Sequence, residues 1–382
     1  MHISNSRNRT IYFDTKNQIS HENWKDFISV ESVSKASIDA HIQNSAHFRQ
    51  DPSTYIPVLD GIYPIPPKSS WKFDGARLQN AYGNKVLEPK SRSDLHSFTK
   101  LFEKFSRRID CKNIAIELSG GLDSSLIIAL AKQSGLDPIL IGFESSRWEF
   151  RTENRIQKIF SAQASKYRLI DYEVVLPFSR LKEVPAHPLP DNSSLHHFGH
   201  ETIANTAISL GASAVLNGLG IEPFLVESFI DSNKYYLKRL AMENAWANDF
   251  IFIPKGLQYL NVAKLIPVHN RLSSLRVGQD LDRKKLWARE YFSAILPAEL
   301  SKYSYKAAFD GIFQAGLNAE AKSISEIFDL SFRVSGDTRF KVADMGGLIQ
   351  NISLLQHKQY VEFIGVLSYA LWISALTKEG LI

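Results

Sequence analysis

An alternation of short apolar runs with helical segments between residues 113 and 216 constrains the fold more than any other feature of this sequence. The predicted strands are 113–118, 138–143, 169–175 and 214–216, and the predicted helices are 124–133, 152–165 and 201–210. Strands that alternate with helices in this way pair in parallel, with the helices covering the sheet. We therefore predict an α/β fold, a doubly wound parallel sheet with helices on both faces, whose ligands bind beyond the carboxyl ends of the strands.

The segments on either side of this alternation differ from it in character. Residues 1–90 combine short strand-like runs with Asp-Gly turns, at Asp60 and Asp74, and predict a small β-rich N-terminal region. Residues 91–382 are predicted to form one domain, with helical patterns at 91–110 and through most of the chain from residue 231 onward. The longest apolar stretch, 363–376, is too short to cross a bilayer and predicts a packed C-terminal helix.

Composition excludes several classes of protein. The 382 residues are 44% hydrophobic, enough for a large core, and the formal charge of +5 is scattered among acids, so no nucleic-acid interface is predicted. A single cysteine, Cys111, excludes an intramolecular disulfide and a multi-cysteine metal site. We expect it to be a buried packing residue in a cytoplasmic protein. The N-terminus lacks the apolar core of a signal peptide, and no membrane span is predicted.

The segment after the first predicted strand of the alternation carries the strongest chemical signal. It reads SGGLDSS, residues 119–125, and a helix follows it directly. Two glycines let backbone amides approach an anion, serine hydroxyls add donors, and the helix N-terminus adds a positive dipole. We predict a phosphate cradle in which Asp123 holds Mg²⁺. The loop lacks the Gly-Lys-Ser/Thr ending of a Walker loop, so a phosphate-contacting lysine must come from elsewhere. The alternative is a tight turn with Ser124 as a helix N-cap.

This loop resembles the pyrophosphate loop of the asparagine synthetase family, which includes β-lactam synthetases and lasso-peptide cyclases. The resemblance extends over most of residues 90–376. In that family a substrate carboxylate attacks the α-phosphate of ATP, pyrophosphate leaves, and an amine captures the acyl-adenylate. The resemblance therefore implies an AMP-forming, ATP-dependent C–N ligase that uses ATP and Mg²⁺. In layout the chain is most similar to lasso-peptide cyclases and β-lactam synthetases.

A second glycine-rich segment, residues 215–223, resembles the family's second phosphate loop, which usually follows a Gly-x-Gly-x-Asp pattern. Gly218 begins the pattern here. Glu222 stands in place of the aspartate that holds magnesium, and Pro223 replaces a frequent glutamate. Leu219 lies between the glycines, where some relatives have an acidic residue or a tyrosine, and this removes one candidate general base. The alternative is an ordinary glycine-rich turn after a strand.

Two further segments supply basic residues. Lys285 and Arg289, four residues apart on a predicted helix, resemble the family's Lys-x-x-x-Arg pair, in which the lysine faces pyrophosphate. Lys306, downstream of a Leu-Pro turn at 296–297, resembles the family's catalytic lysine, which stabilises charge on the α-phosphate and then on the tetrahedral intermediate. Lys302 is the rival for this role. In both segments the alternative is solvated surface charge.

The resemblance also implies how adenine is recognised, through backbone groups of Gly142 and Phe143 on the second strand of the alternation. Glu153, at the start of the next helix, is interpreted as a first-turn acid. In sum, the resemblance implies catalytic roles for Lys306 and Lys285 and metal binding by Asp123 and Glu222. The implied nucleotide-binding residues are Leu118, Ser119, Gly120, Gly121, Asp123, Ser124, Gly142, Phe143, Gly218 and Arg289.

Three histidines, His196, His197 and His200, lie together ahead of Glu201. His196 and His200 are four apart and would share a helical face, as zinc ligands do. The metalloprotease order, with a glutamate between the histidines, is absent. A substrate-facing or solvated role is therefore favoured over a zinc site.

The nitrogen source is the least determined part of the predicted reaction. Full-length asparagine synthetases begin with a glutaminase domain whose nucleophilic cysteine directly follows the initiator methionine, whereas this sequence has His2 there. Residues 1–90 are too few for that domain and are interpreted as its remnant. We therefore expect the nucleophile to be an amine of the substrate, an amine of a second substrate, or ammonia, either free or passed on by a separate ammonia-supplying protein.

Peptide macrolactam formation, as by lasso-peptide cyclases, is the favoured reaction because the helical C-terminal extension looks most like those enzymes. Its substrate would be a peptide, and a separate leader-binding protein is a candidate partner. One alternative is amidation of a small carboxylate with ammonia or an amine. Another is a degenerate nucleotide-binding protein without catalysis, suggested by Leu219 and Glu222. Related loops also serve adenylation of RNA bases, but neither a basic RNA-binding module nor paired cysteines are visible.

Overall fold

The structure is a computed structural model of the chain. It describes residues 2–5, 10–34, 36–46, 57–65, 69–73, 78–80, 103, 113–218, 245–260, 285–302, 309–341 and 357–382. Cys111 and, apart from Glu103, the predicted helix at 91–110 lie outside the described residues. All structural statements below concern the described part of the chain.

Six short strands form two antiparallel sheets in the N-terminal region, which agrees with its predicted β-rich character. The strands are β1 (His2–Asn5), β2 (Ile11–Asp14), β3 (Ile19–His21), β4 (Ile62–Ile65), β5 (Ser69–Phe73) and β6 (Leu78–Asn80). One sheet has the order β1-β5-β6 and the other the order β3-β2-β4. Phe13 and Ile65 fill a small core here, because both are almost fully buried.

Five strands form a central sheet in which every neighbouring pair is parallel. They are β7 (Ile114–Glu117), β8 (Ile139–Glu144), β9 (Tyr167–Asp171), β10 (Ala214–Leu216) and β11 (Gln258–Leu260), in the order β11-β10-β7-β8-β9. The predicted α/β class is confirmed. Strand β9 was predicted at 169–175 but begins two residues earlier and ends four residues earlier, since Tyr167 to Asp171 pair with Leu140 to Glu144 of β8.

Helices surround the sheet and form the C-terminal part of the chain. They are α1 (Val30–Ser34), α2 (Ile38–Ala46), α3 (Leu122–Gln133), α4 (Arg151–Ser161), α5 (His197–Ser209), α6 (Ala245–Ala247), α7 (Leu286–Tyr291), α8 (Ala298–Lys302), α9 (Asp310–Ala319), α10 (Ala321–Ser335) and α11 (His357–Lys378). A π-helical turn, Asn248–Phe252, follows α6. Short 3-10 helices occur at Trp24–Phe27, Trp148–Phe150, Leu181–Glu183, Asn192–His196, Ile253–Lys255 and Thr338–Phe340.

The central sheet separates two apolar cores. Side chains alternate between the faces of a strand, so Ile116 and Leu118 pack on one face with residues of α3 such as Leu126. Ala115 belongs to the core on the other face, which includes Ala204 of α5. The predicted placement of helices on both faces is thus confirmed. It explains why these strands are apolar on both sides, as a parallel sheet covered on both faces requires.

Helix α11 contains the predicted packed segment 363–376 and packs on the N-terminal helix α2. Trp372 is fully buried in it, and its indole Nε1–H donates to the carbonyl oxygen of His187 at 2.8 Å. Where the two helices cross, a Cβ on Gly365 would lie 3.0 Å from Ile42, which explains a glycine at that position. Among the described residues, no helix has the length and apolar character that a membrane crossing requires.

Candidate functional site

The loop after β7 turns the chain from the sheet into α3 at the carboxyl edge of the sheet. Gly120 has a φ of +80°, a left-handed conformation that glycine adopts without strain. Gly121 is the N-cap of α3, and no side chain caps the helix end. Ser119 is exposed. The first turn of a twelve-residue helix therefore presents amide groups and a positive dipole at an accessible position, as an anion site requires.

The serines of the loop form a hydrogen-bonded unit. The hydroxyls of Ser119 and Ser124 are 2.8 Å apart, and the Ser119 amide donates to Ser124 Oγ at 3.3 Å. Ser124 Oγ in turn donates to the Gly121 carbonyl oxygen at 3.3 Å. The N-cap alternative for Ser124 does not hold, because α3 begins two residues earlier, at Leu122. These bonds set the shape of the loop.

Asp123, in the first turn of α3, forms an ion pair with Lys285. Lys285 Nζ lies 2.8 Å from Oδ1 and 3.0 Å from Oδ2 of Asp123, and the lysine is buried. The structure thus brings together the predicted metal ligand and the predicted pyrophosphate-facing lysine, which are 162 residues apart in sequence. Lys285 has a left-handed φ of 57° and precedes α7, which begins at Leu286, so it does not lie within the helix as its spacing from Arg289 predicted.

Arg289 lies on α7 and is buried. Its guanidinium donates to the carbonyl oxygen of Leu300, which lies within α8, three residues after the Leu-Pro turn. This bond fixes α7 to α8, and a phosphate contact by Arg289 stays a prediction. Lys306 lies outside the described residues, and so does the side chain of its rival Lys302.

The second glycine-rich segment begins beside the first loop. A Cβ on Gly218 would lie 3.1 Å from the Ser124 amide nitrogen, so the end of β10 directly abuts the start of α3. The two predicted phosphate loops are therefore adjacent where the second one starts. Leu219, Glu222 and Pro223 lie outside the described residues, and the metal role of Glu222 stays a prediction.

Gly142 and Phe143, predicted to contact adenine, hold the ends of β7 and β8 together. A Cβ on Gly142 would lie 2.2 Å from the Leu118 carbonyl oxygen, so only glycine fits there. Gln157 of α4 was not predicted as a site residue. Its amide Nε2 donates to the carbonyl oxygens of Leu118 at 3.0 Å and Phe143 at 2.7 Å. Gln157 is fully buried, and the available signal in the sequence was its position beside Ile156 and three residues before Phe160 in an amphipathic helix.

Gly120 also packs against α4. A Cβ on Gly120 would lie 2.4 Å from the backbone oxygen of Glu153, which occupies the first turn of that helix and is buried. The interpretation of Glu153 as a first-turn acid is consistent with this position. Its backbone has a further role, because it limits the space behind the loop.

Glu117, the last residue of β7, is a second feature that the sequence interpretation missed. It is half-buried, and its Oε1 accepts a hydrogen bond of 2.6 Å from the Tyr259 hydroxyl of β11. Burial raises the pKa of the Glu117 carboxyl to about 7, and the Tyr259 hydrogen bond opposes this shift. A glutamate within an otherwise apolar strand, directly before the loop, was the signal.

The three histidines contact separate aromatic groups. The His196 ring lies 5.7 Å from the Phe178 ring, and the His200 ring lies 5.7 Å from the Tyr259 ring. His197 packs edge-on against Trp246 at 6.0 Å. Within the described parts of the chain, no group of three or more His, Cys, Asp or Glu side chains could hold a metal ion.

Comparison of the sequence with models of known protein families gives no match, and a search of curated proteins gives none either. The assignment of a function therefore rests on the sequence and on the geometry of the site.

Proposed function

We propose that this chain is an ATP-dependent amide-forming ligase that adenylates a substrate carboxylate and lets an amine capture the acyl-adenylate. The observation that carries the proposal is the convergence of Asp123 and Lys285 at the N-terminus of α3. A helix N-terminus, a left-handed glycine, the exposed Ser119 hydroxyl and a lysine at one edge of a parallel sheet form a site suited to a polyphosphate.

In this proposal, Lys285 neutralises charge on the departing pyrophosphate, and the loop amides and the Ser119 hydroxyl orient it. Most of the acceleration then comes from positioning and from preorganised charge. Lys306 is assigned to the α-phosphate on the basis of the family resemblance alone.

The donor set fits Mg²⁺. This ion is usually held by one or two carboxylates together with substrate phosphate oxygens. Asp123 and the ATP phosphates would therefore be enough to bind it, and Glu222 is proposed as the second carboxylate. The ion would supply charge neutralisation on the phosphates. Asp123 also pairs with Lys285, and a carboxylate has two oxygens to divide between the two cations.

Within this class we favour a peptide whose side-chain carboxylate is activated and whose own N-terminal amine closes a macrolactam. Amidation of a small carboxylate by ammonia or an amine is the second candidate. Mass spectrometry separates the two versions. A peptide that cyclises loses one water in the presence of ATP and the protein, without any added amine, whereas amidation depends on the added amine.

The experiment that tests the proposal is exchange of labelled pyrophosphate into ATP with Mg²⁺, over a panel of peptides and amino acids. One class of carboxylate should support exchange. Asp123→Asn and Lys306→Met should each lower the rate about 100-fold, the scale of losing one preorganised charge or donor. Asp137→Asn is the matched control, because Asp137 is an exposed aspartate that follows the opposite end of α3. Nucleotide binding without exchange for any carboxylate would favour the non-catalytic alternative.

A further inference from the structure

The carboxyl edge of the central sheet has a second polar group, on the face opposite α3. Because side chains alternate along β7, Glu117 lies on the face of Ala115, where α5 packs, and not on the face of Ile116 and Leu118. Glu117 is two residues from Ser119, the first residue of the loop. The phosphate loop and this carboxylate thus lie at the same end of one strand and on its two sides.

Residues from three other elements gather around Glu117. Tyr259 of β11 donates a hydrogen bond to Glu117, and Asn217, just after β10, lies close enough to Tyr259 to oppose the rise that burial causes in the pKa of the tyrosine. Burial and, to a smaller extent, the nearby Glu117 charge raise the pKa of Tyr172, which follows β9, to about 12. Its ring stacks on Phe143 at 4.8 Å. Among the described residues, Oε2 of Glu117 receives no hydrogen bond, so one carboxylate oxygen is available to a ligand.

We infer that Glu117 is the general base of the amide-forming step and that the Glu117–Tyr259 side of the sheet edge binds the amine nucleophile. This inference rests on the proposed function and assigns a second half-site to it. As the amine nitrogen attacks the acyl carbon, a C–N bond forms and the C–O bond to AMP breaks. AMP leaves with that electron pair, and Glu117 takes the proton that the nitrogen releases.

Amide formation needs a base for the amine. Leu219, between the glycines of the second loop, cannot be that base, although some members of the resembled family have an acidic residue or a tyrosine there. Glu117 would supply the base instead. Glu117 has the required properties. Tyr259 holds it at a fixed place, it is half-buried, and a pKa of about 7 lets it accept a proton at neutral pH. A lone carboxylate on a solvated loop would be a much weaker base.

The test uses the full chain and the carboxylate that gives the fastest exchange. Three rates are measured for the wild type and for Glu117→Gln: pyrophosphate exchange, hydroxamate formation with hydroxylamine, and amide formation with the substrate's own amine or with ammonium chloride. Hydroxylamine is a strong nucleophile that is neutral near pH 7 and needs no base. We expect amide formation to fall about 100-fold, within the usual range for general bases, while the other two rates fall less than about threefold.

The pH profile adds a readout that a merely structural role would not change. In the wild type, the amide rate should rise as Glu117 deprotonates, with a midpoint near pH 7, and Glu117→Gln should lose this rise. Tyr259→Phe keeps the carboxylate but removes the hydrogen bond that lowers its pKa, so the midpoint should move to higher pH. Among the described residues, Tyr172 and His200 are two further titratable groups on this side of the sheet edge, and burial keeps His200 neutral by lowering its pKa to about 3.

Glu173→Gln is the control, because Glu173 is an exposed carboxylate paired with Arg147 beyond the end of β9. Equal losses in all three rates for Glu117→Gln would overturn the inference and assign Glu117 a structural role. An unchanged amide rate would also overturn it, while intact exchange would leave the ligase proposal standing. If none of the tested carboxylates supports pyrophosphate exchange by the wild-type protein, the ligase proposal and this inference both fail. If Glu117→Gln fails to fold, a pH midpoint in Tyr259→Phe equal to that of the wild type overturns the inference.

Discussion

Replacement of Gly120 by alanine tests whether the loop geometry is as tightly determined as the structure indicates. Two independent costs apply at this position. Its φ of +80° is unfavourable for any residue with a Cβ, and the added methyl group would lie 2.4 Å from the Glu153 backbone oxygen and 2.7 Å from its Cα. These are backbone atoms of the first turn of α4, so they cannot move aside as a flexible side chain could.

The two costs can be separated with a matched variant. Gly135, just after α3, has nearly the same φ of +78°, but a Cβ there would meet no atom within 4 Å. In Gly135→Ala, the free energy of unfolding should therefore fall only by the cost of a left-handed backbone at a residue with a Cβ, about 1–2 kcal/mol. In Gly120→Ala, the free energy of unfolding should fall by that cost and by an overpacking cost of about 1–3 kcal/mol, for a total of about 2–5 kcal/mol. The smaller entropy of the unfolded alanine variants offsets both losses by a similar amount, about 0.4–1 kcal/mol.

The assay is urea unfolding of the wild type and both variants, followed by tryptophan fluorescence, with pyrophosphate exchange measured on the folded proteins. We expect the free energy of unfolding to decrease more in Gly120→Ala than in Gly135→Ala. Exchange should fall only in Gly120→Ala, since the loop must shift to accept the methyl group. Equal destabilisation of the two variants would refute the close contact between the loop and α4, and with it the view that Glu153 supports the phosphate loop.

Two further predictions concern other charged and titratable groups. Lys285→Met should lower pyrophosphate exchange about 100-fold, because it removes the cation beside Asp123. Lys285→Arg should recover part of the rate. Full activity of Lys285→Met would exclude a phosphate-binding role for Lys285. His41 is buried and hydrogen-bonded to Ser368, and burial lowers its pKa from 6.5 to about 4. Between these pH values the unfolded chain binds more protons than the folded chain, so the free energy of unfolding falls as the pH falls. His41→Gln should therefore reduce the loss of unfolding free energy between pH 7 and pH 4 by about 3 kcal/mol in urea titrations, and an undiminished loss would contradict the assignment.

The strand-loop-helix at the site could be predicted because several local signals agree there. The apolar run ending at Leu118, the paired glycines and the helical pattern after them each favour the same structure, and the observed elements follow closely. The edge strands were harder to predict. The apolar residues Val174 and Val175 suggested a longer β9, yet Val174 is exposed, since pairing with β8 ends at Asp171. Strand β11 has three residues, too few for a periodic pattern.

Contacts between distant segments set the rest, and no sequence pattern specified them. The short helices α1 and α2 lie within a region predicted to be β-rich, and α2 is stabilised by packing on α11 rather than by its own pattern. The same reason explains the site residues that were missed. In the sequence Gln157 and Glu117 are no more than polar residues among apolar ones, and their roles follow from the partners that the fold brings to them, the Leu118 carbonyl and the Tyr259 hydroxyl.

The end of β7 links the two halves of the proposed reaction. Glu117 lies on one face of the strand and the phosphate loop begins two residues later, with the Leu118 peptide between them. Two contacts constrain that peptide: its carbonyl oxygen accepts a hydrogen bond from the Gln157 side-chain amide, and it leaves room only for a glycine at position 142. A displacement of β7 along the sheet would move the carboxylate and the phosphate loop together. If the proposed reaction is correct, fixing this one peptide preserves the distance between the proposed site of AMP release and the proposed amine site, as transfer between two substrates requires.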